Sequence, residues 1–269
     1  MFCSGRIFVV VPIIAREKVD EATVEIQGIH ILDAELNSLF IQIYSTIKTD
    51  GQPFTTLQFP PTSANKFQVV NISQTVHVTN KDALERFSHA FLANQTLRIK
   101  IYGKTYVKPA GMTKKYPVHV NKVIEFNGLN LLNGVKLGNT SISFDKDVPN
   151  FNATAVVRNP SHSTLEIVNA TFESLADNQL VGNVATANLL LRPGRNTFPI
   201  EARINQTRVA QIVAYCETGV IPFQLQGRKV QNHGQDILWL ASASSNASMT
   251  VDISVAAVIE SSQSANFCV

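Results

Sequence analysis

The sequence predicts a mainly β protein, built as two tandem β-sandwich domains that each carry a short helix. Three observations lead there. Turn chemistry recurs between apolar runs: Asn159-Pro160-Ser161 precedes the alternating stretch Leu165 to Phe172, Val181-Gly182-Asn183 reads as a small-residue turn, and Pro193-Gly194 as another. Charged residues make up 16% of the chain, well below the usual quarter, while Asn, Ser and Thr abound. That balance suits a β-rich secreted or lumenal domain better than a helical cytosolic one. Finally, one order of strand, glycine and helix signals occurs twice. The 269 residues have room for one large domain or two ordinary ones.

Taken in order, residues 1–19 form an apolar N-terminal stub, 20–122 the first sandwich and 123–269 the second. Ile7 to Ala15 is strongly apolar but far short of the ~20 residues a membrane span needs. Pro12 interrupts it, and the small-residue cleavage pattern of a signal peptide is missing. It reads as the lumenal end of a longer membrane helix, a weak signal sequence, or a first buried strand.

The first half then opens with Ala22 to Ile29, alternating into Gly28, and the second with Val123 to Leu129, alternating into Gly128. A helix-compatible run follows in each, Asn71 to Thr75 and Ile204 to Thr207, and each half then has a strand closing in Gly-basic, Gly103-Lys104 and Gly227-Arg228. Helix signals proper are Asn80 to Phe87, with Asn80 (or Thr79) as N-cap, and Thr207 to Cys216, with Gly219 as the stop. Cys216 falls on the apolar face of the second helix and is expected to be a buried thiol. In Leu39 to Tyr44 and Ala153 to Val157 every second residue faces a core.

These residues resemble the LEA-2 (WHy-type) β-sandwich, in which an Asn-Pro pair opens a strand and a Pro-Gly-x-Asn turn leads into another. The likeness covers residues 131–230. The whole chain resembles the fungal DUF3712 family on Val11-Pro12-Ile13-Ile14-Ala15 running into Val19-Asp20-Glu21-Ala22-Thr23, and on Phe126-Asn127-Gly128-Leu129-Asn130-Leu131-Leu132. The resemblance implies a LEA-2-like region after an N-terminal membrane helix, facing the vacuolar lumen or the cell exterior. Here that helix is absent or reduced to a stub. A genuine start at Met1 without an anchor would instead leave the protein cytosolic. No catalytic residue and no cofactor is implied.

The chemistry-bearing residues point the same way. Asn-x-Ser/Thr sequons stand at Asn71, Asn94, Asn139, Asn152, Asn169, Asn205 and Asn246, as glycosylation of a lumenal chain would require. Chance in an Asn-rich chain would give about half as many. Asn94 and Asn246 look most exposed, while Asn71 and Asn205 precede helix signals. Cys3, Cys216 and Cys268 show no metal or redox spacing. His30, His77, His89, His119, His162 and His233 have no second ligand at metal spacing. Asp145 and Asp147 read as a solvated turn. Motifs for phosphate binding, dinucleotides, zinc proteolysis or a nucleophile elbow are missing, which argues against an enzyme. A net charge of +3 argues against nucleic acid.

The expected function is therefore non-catalytic, in protein interaction or sensing by the lumenal or extracellular part of a fungal membrane protein. The alternative is a lipid-binding or lipid-transfer module at a membrane surface. Two features motivate it: a sandwich seam lined by Phe126, Leu129, Leu131, Leu132 and Trp239, and a basic face from Lys100 to Lys115. The expected partners are a membrane, an unidentified protein and, on the alternative, lipid.

Overall fold

The computed structural model describes residues 29–32, 38–43, 54–55, 72–107, 113–143, 149–216 and 218–265. Among them strand predominates, as β1 (Ile29–Leu32), β2 (Ser38–Ile43) and β3 (Ile72–His77). Then come α1 (Lys81–Ala93), β4 (Thr96–Val107), β5 (Tyr116–Asn127), a single 3-10 turn at Asn130–Leu132 and β6 (Lys136–Ile142). Four long strands follow: β7 (Phe151–Asn159), β8 (Ser163–Ala176), β9 (Gln179–Leu191) and β10 (Gly194–Ile204). The chain continues with α2 (Gln206–Ala214), β11 (Val220–Asn232), β12 (Gln235–Asp236), α3 (Leu238–Ser245), β13 (Met249–Ser254) and α4 (Val255–Ala265).

Eleven of these strands make one sheet, in the order β3-β2-β1-β8-β9-β10-β7-β6, with β11 joining β8 to β12 and β13. Strand β8 is its spine. One edge pairs with β9 from Leu165↔Leu191 to Ala176↔Gln179. The other edge is shared: β1 runs parallel to it at Ser163–Leu165, and β11 antiparallel from Asn169 to Ala176. The sheet curls until β13 comes beside β6, and α4, which follows β13, packs on β6. Strands β4 and β5 form a separate two-stranded ribbon.

The turn chemistry of the sequence has a physical basis at the β7–β8 corner. Asn159 is 1% exposed. Its amide donates to the carbonyls of Ser163 (2.8 Å) and Leu191 (3.4 Å), and its oxygen accepts from the Ser161 N–H (2.9 Å) and hydroxyl (2.7 Å). One side chain thus satisfies the backbone of two strands and a turn. At the Pro-Gly turn, Asn196 accepts from the Arg192 N–H and donates to the Arg192 and Gly194 carbonyls, around a glycine with φ +87°. The third expected turn is a correction. Val181 to Asn183 lie inside β9, and the chain reverses just before that strand at Asp177-Asn178, both left-handed (φ 49° and 56°). Gly182 is needed for a different reason, since a Cβ there would meet the Arg203 carbonyl of the neighbouring strand.

Helix α1 starts where its cap predicts, with the Asn80 side chain accepting from the Ala83 N–H at 3.0 Å. It buries Ala83, Leu84, Phe87 and Phe91. Phe87, Phe91 and Phe126 stack with centroids 6.1–6.4 Å apart. The helix-compatible run Asn71 to Thr75 is corrected: Ile72–His77 is a strand, paired with β2 from Ile72↔Ile43 to His77↔Ser38. Its Ser73 and Thr75 are exposed and Val76 is buried, the period of two that a helix lacks.

The two sequence halves share one core. Leu84, Phe87, Leu97 and Ile99 from before residue 122 pack in the same cluster as Val157, Leu165, Leu191 and Trp239 from after it. The boundary at 122/123 falls within β5, and β1 to β3 belong to the sheet built by the second half.

Replacing Asn159 with Ala leaves several buried polar groups without partners, so about 1–3 kcal/mol of stability is expected to be lost. Asn196→Ala, on an exposed turn, is expected to cost less than half of that. Urea unfolding reads both as a lower midpoint at unchanged slope, and equal losses would contradict the role given to the buried corner.

Candidate functional site

Curling brings the inner faces of β6–β11 and β13 round a single space without filling it. The space has a volume of about 500 Å³ and is walled by side chains such as Leu137, Phe172, Val184, Phe198, Phe223 and Val251. Those positions alternate along their strands, which is the ordinary pattern of a sheet with one face turned inward. Four uncharged polar residues join the wall, and three of them are engaged. Asn150 donates to the Ile204 carbonyl at 2.7 Å and accepts from its N–H at 2.8 Å. Thr186 donates to the Pro199 carbonyl at 3.0 Å, and Gln206 to the Ser143 carbonyl at 3.3 Å. Ser174 is the fourth, 1% exposed. Among the described residues that line it none is titratable. Such a wall favours hydrocarbon and disfavours ions.

Two helices complete the enclosure. The N-cap of α2 is Asn205, whose side chain accepts from the Arg208 N–H at 3.0 Å. Val209 and Val213 of α2 and Val258 of α4 face the space. The mouth lies between these helices, because the lining residues Ala210, Ala214 and Ile259 are also exposed, Ile259 to 45%. Tyr215, next in line after Ala214, is 91% exposed.

Of the five residues that the sequence placed along an apolar seam, Leu132 lines this cavity. Phe126, Leu129 and Trp239 belong instead to the filled core, and Leu131 is half-buried. The sequence signal for the real walls, alternation in β7 to β11, was present but is common to filled and unfilled sheets.

The sequon asparagines are scattered. Asn94 and Asn246 are exposed at the C-caps of α1 and α3, as expected, and Asn139, Asn169 and Asn205 are exposed too. Asn152 is half-buried in β7, and Asn71 lies outside the described residues. So do Asp145, Asp147, Cys3, Cys268 and the apolar stub. Among the described residues no three His, Cys, Asp or Glu side chains gather as for a metal, and no helix is long and apolar enough to cross a membrane.

Cys216 corrects its expectation. Helix α2 ends at Ala214, so the thiol leaves the apolar face and lies half-buried in the following turn. Its Sγ is 3.4 Å from the Thr218 hydroxyl and 3.3 Å from the Val220 carbonyl. The Thr218 side chain, helped by backbone N–H groups and opposed by partial desolvation, holds the thiol below its ordinary pKa. Alkylation of the Cys216 peptide by iodoacetamide, followed by mass spectrometry, is expected to set in at lower pH than for free cysteine. Thr218→Val is expected to move that onset upward, and an unmoved onset would remove the hydroxyl as its cause.

Comparison with known proteins yields one match. No curated protein and no solved structure matches the chain. Its residues 52–174, from Gln52 in the first half to Ser174 in the cavity wall, match the family model described as "Protein of unknown function (DUF3712)".

Proposed function

We propose that this protein is a non-catalytic lipid-binding module, which takes an acyl chain into the cavity of its curled sheet and leaves the polar headgroup at the mouth between α2 and α4. The carrying observation is the cavity itself, about 500 Å³ and walled by aliphatic and aromatic side chains. Its size lies within the range of small-molecule sites. The space opens to solvent, so water can enter it, but the wall offers that water few hydrogen-bonding partners. An apolar occupant replaces poorly bonded water and gains apolar contact. Binding is favoured over catalysis because, among the described residues, no acid, base or thiol lines the space.

The module belongs, on this reading, to the lumenal or exterior part of a fungal membrane protein of DUF3712 type, with a LEA-2-like sandwich in its second half. The Asn159 corner and the Asn196 turn support the LEA-2 likeness, and five exposed sequon asparagines support the lumenal side.

Native mass spectrometry of the purified protein is expected to find acyl lipid bound at one per chain, with saturable binding of a fluorescent fatty acid. Ala210→Trp, which plugs the mouth from an exposed helical position, is expected to weaken that binding about tenfold, or ~1.4 kcal/mol. A folded protein free of lipid and without saturable binding would overturn the proposal and return the interaction or sensing role to first place. A glycosidase is expected to increase the mobility of the natively expressed protein. An unmoved band would remove the lumenal assignment while leaving the cavity untouched.

A further inference from the structure

The β4–β5 ribbon has two faces that differ in kind. Its register, Thr96↔Asn127 to Val107↔Tyr116, puts Leu97, Ile99, Ile124 and Phe126 on one side, all buried in the core that α1 shares. The opposite side carries Arg98, Lys100, Tyr102, Tyr106 and Val123. Tyr102 is 55% exposed, Tyr106 67% and Val123 65%. Large apolar and aromatic side chains grouped this openly mark a contact surface.

The charge around them is one-sided. Arg98 and Lys100 on this side are both exposed, and the register adds Lys104 to it. The carboxylate on this face, Glu125, is 3.4 Å from Arg98, with both side chains more than half exposed. That leaves this face, with Arg98, Lys100 and Lys104 against Glu125, with an excess of positive charge. Tyrosines with lysines beside them match the headgroup layer of a membrane, where the rings sit at the interface and the ammonium groups meet phosphate.

We propose that this face of the β4–β5 ribbon docks on an anionic lipid bilayer, with Tyr102, Tyr106 and Val123 entering the interface and Lys100 pairing with lipid phosphate or carboxylate. The proposal does not rest on the occupant of the cavity, which is lined by other residues.

The test is co-sedimentation of the whole protein with phosphatidylcholine vesicles, and with the same vesicles containing about one-third phosphatidylserine. Binding to the anionic vesicles is expected to exceed binding to the neutral ones about tenfold and to fall as salt is raised. Tyr102→Ser with Tyr106→Ser is expected to weaken it several-fold, and Lys100→Glu likewise. All three positions are exposed, and an unchanged melting temperature verifies that the variants fold. Equal binding to both vesicle types, or full binding by the double tyrosine variant, would overturn the docking face. So would binding to soluble polyglutamate in place of vesicles, which would point to an acidic protein. Bound acyl lipid is measured in parallel, so failure of the docking face and failure of the cavity reading give different results.

Discussion

The long strand β8 has only two edges, and the fold depends on how they are divided. One edge is taken along most of its length by β9, through which β10, β7 and β6 are attached. The other is split between β1 and β11, so a strand from early in the chain and one from late in it abut the same partner. Because a shift of one residue would turn every inward side chain outward, the β8 register sets which residues face the interior across most of the sheet. The buried Asn159 amide at the head of β8 helps to fix that register, since it bonds β8 and β9 carbonyls together.

The same division explains why there is space inside. Sheets twist, and a long twisted sheet tends to curl or close unless a second layer flattens it. On the side of α1 and α3 a second layer exists, and there the core is dense with Phe87, Phe91, Phe126 and Trp239. Toward α2 and α4 the layer thins, and no residue of α2 is fully buried. The curl is therefore filled at one end and open at the other, and the difference follows from which helices are available to fill it.

Much of the fold was legible where a side chain makes a local bond. Asn80 as a cap, the bonds of Asn159 to Ser161 and Ser163 and the Pro-Gly-x-Asn turn each use contacts within a few residues, and sequence patterns record such contacts directly. Legibility failed where a distant partner decides. Ile72 to Thr75 suits either a helix or a strand, and pairing with β2 settles it. Gly182 reads as a turn residue, yet its role is to let β10 approach. The mainly β class was readable, but the sharing of one sheet and one core by both halves was not, because no local pattern encodes which strands become neighbours. The cavity was least legible of all: a strand with alternating apolar residues looks the same whether the facing side chains meet or leave a gap.

The short turn at Asn130–Leu132 has a consequence of another kind. Three successive residues there, two of them leucines, hold left-handed backbone angles (φ 50°, 54° and 50°). Such angles are costly for branched L-residues, and they persist only where neighbours overdetermine them. The restraint comes from just before the turn, where Leu129, 1% exposed, donates its N–H to the Phe91 carbonyl at 2.7 Å. Leu132, at its far end, is part of the cavity wall. The turn thus joins helix α1 to the cavity wall through a stretch of backbone whose shape its neighbours, and not its own residues, hold in place.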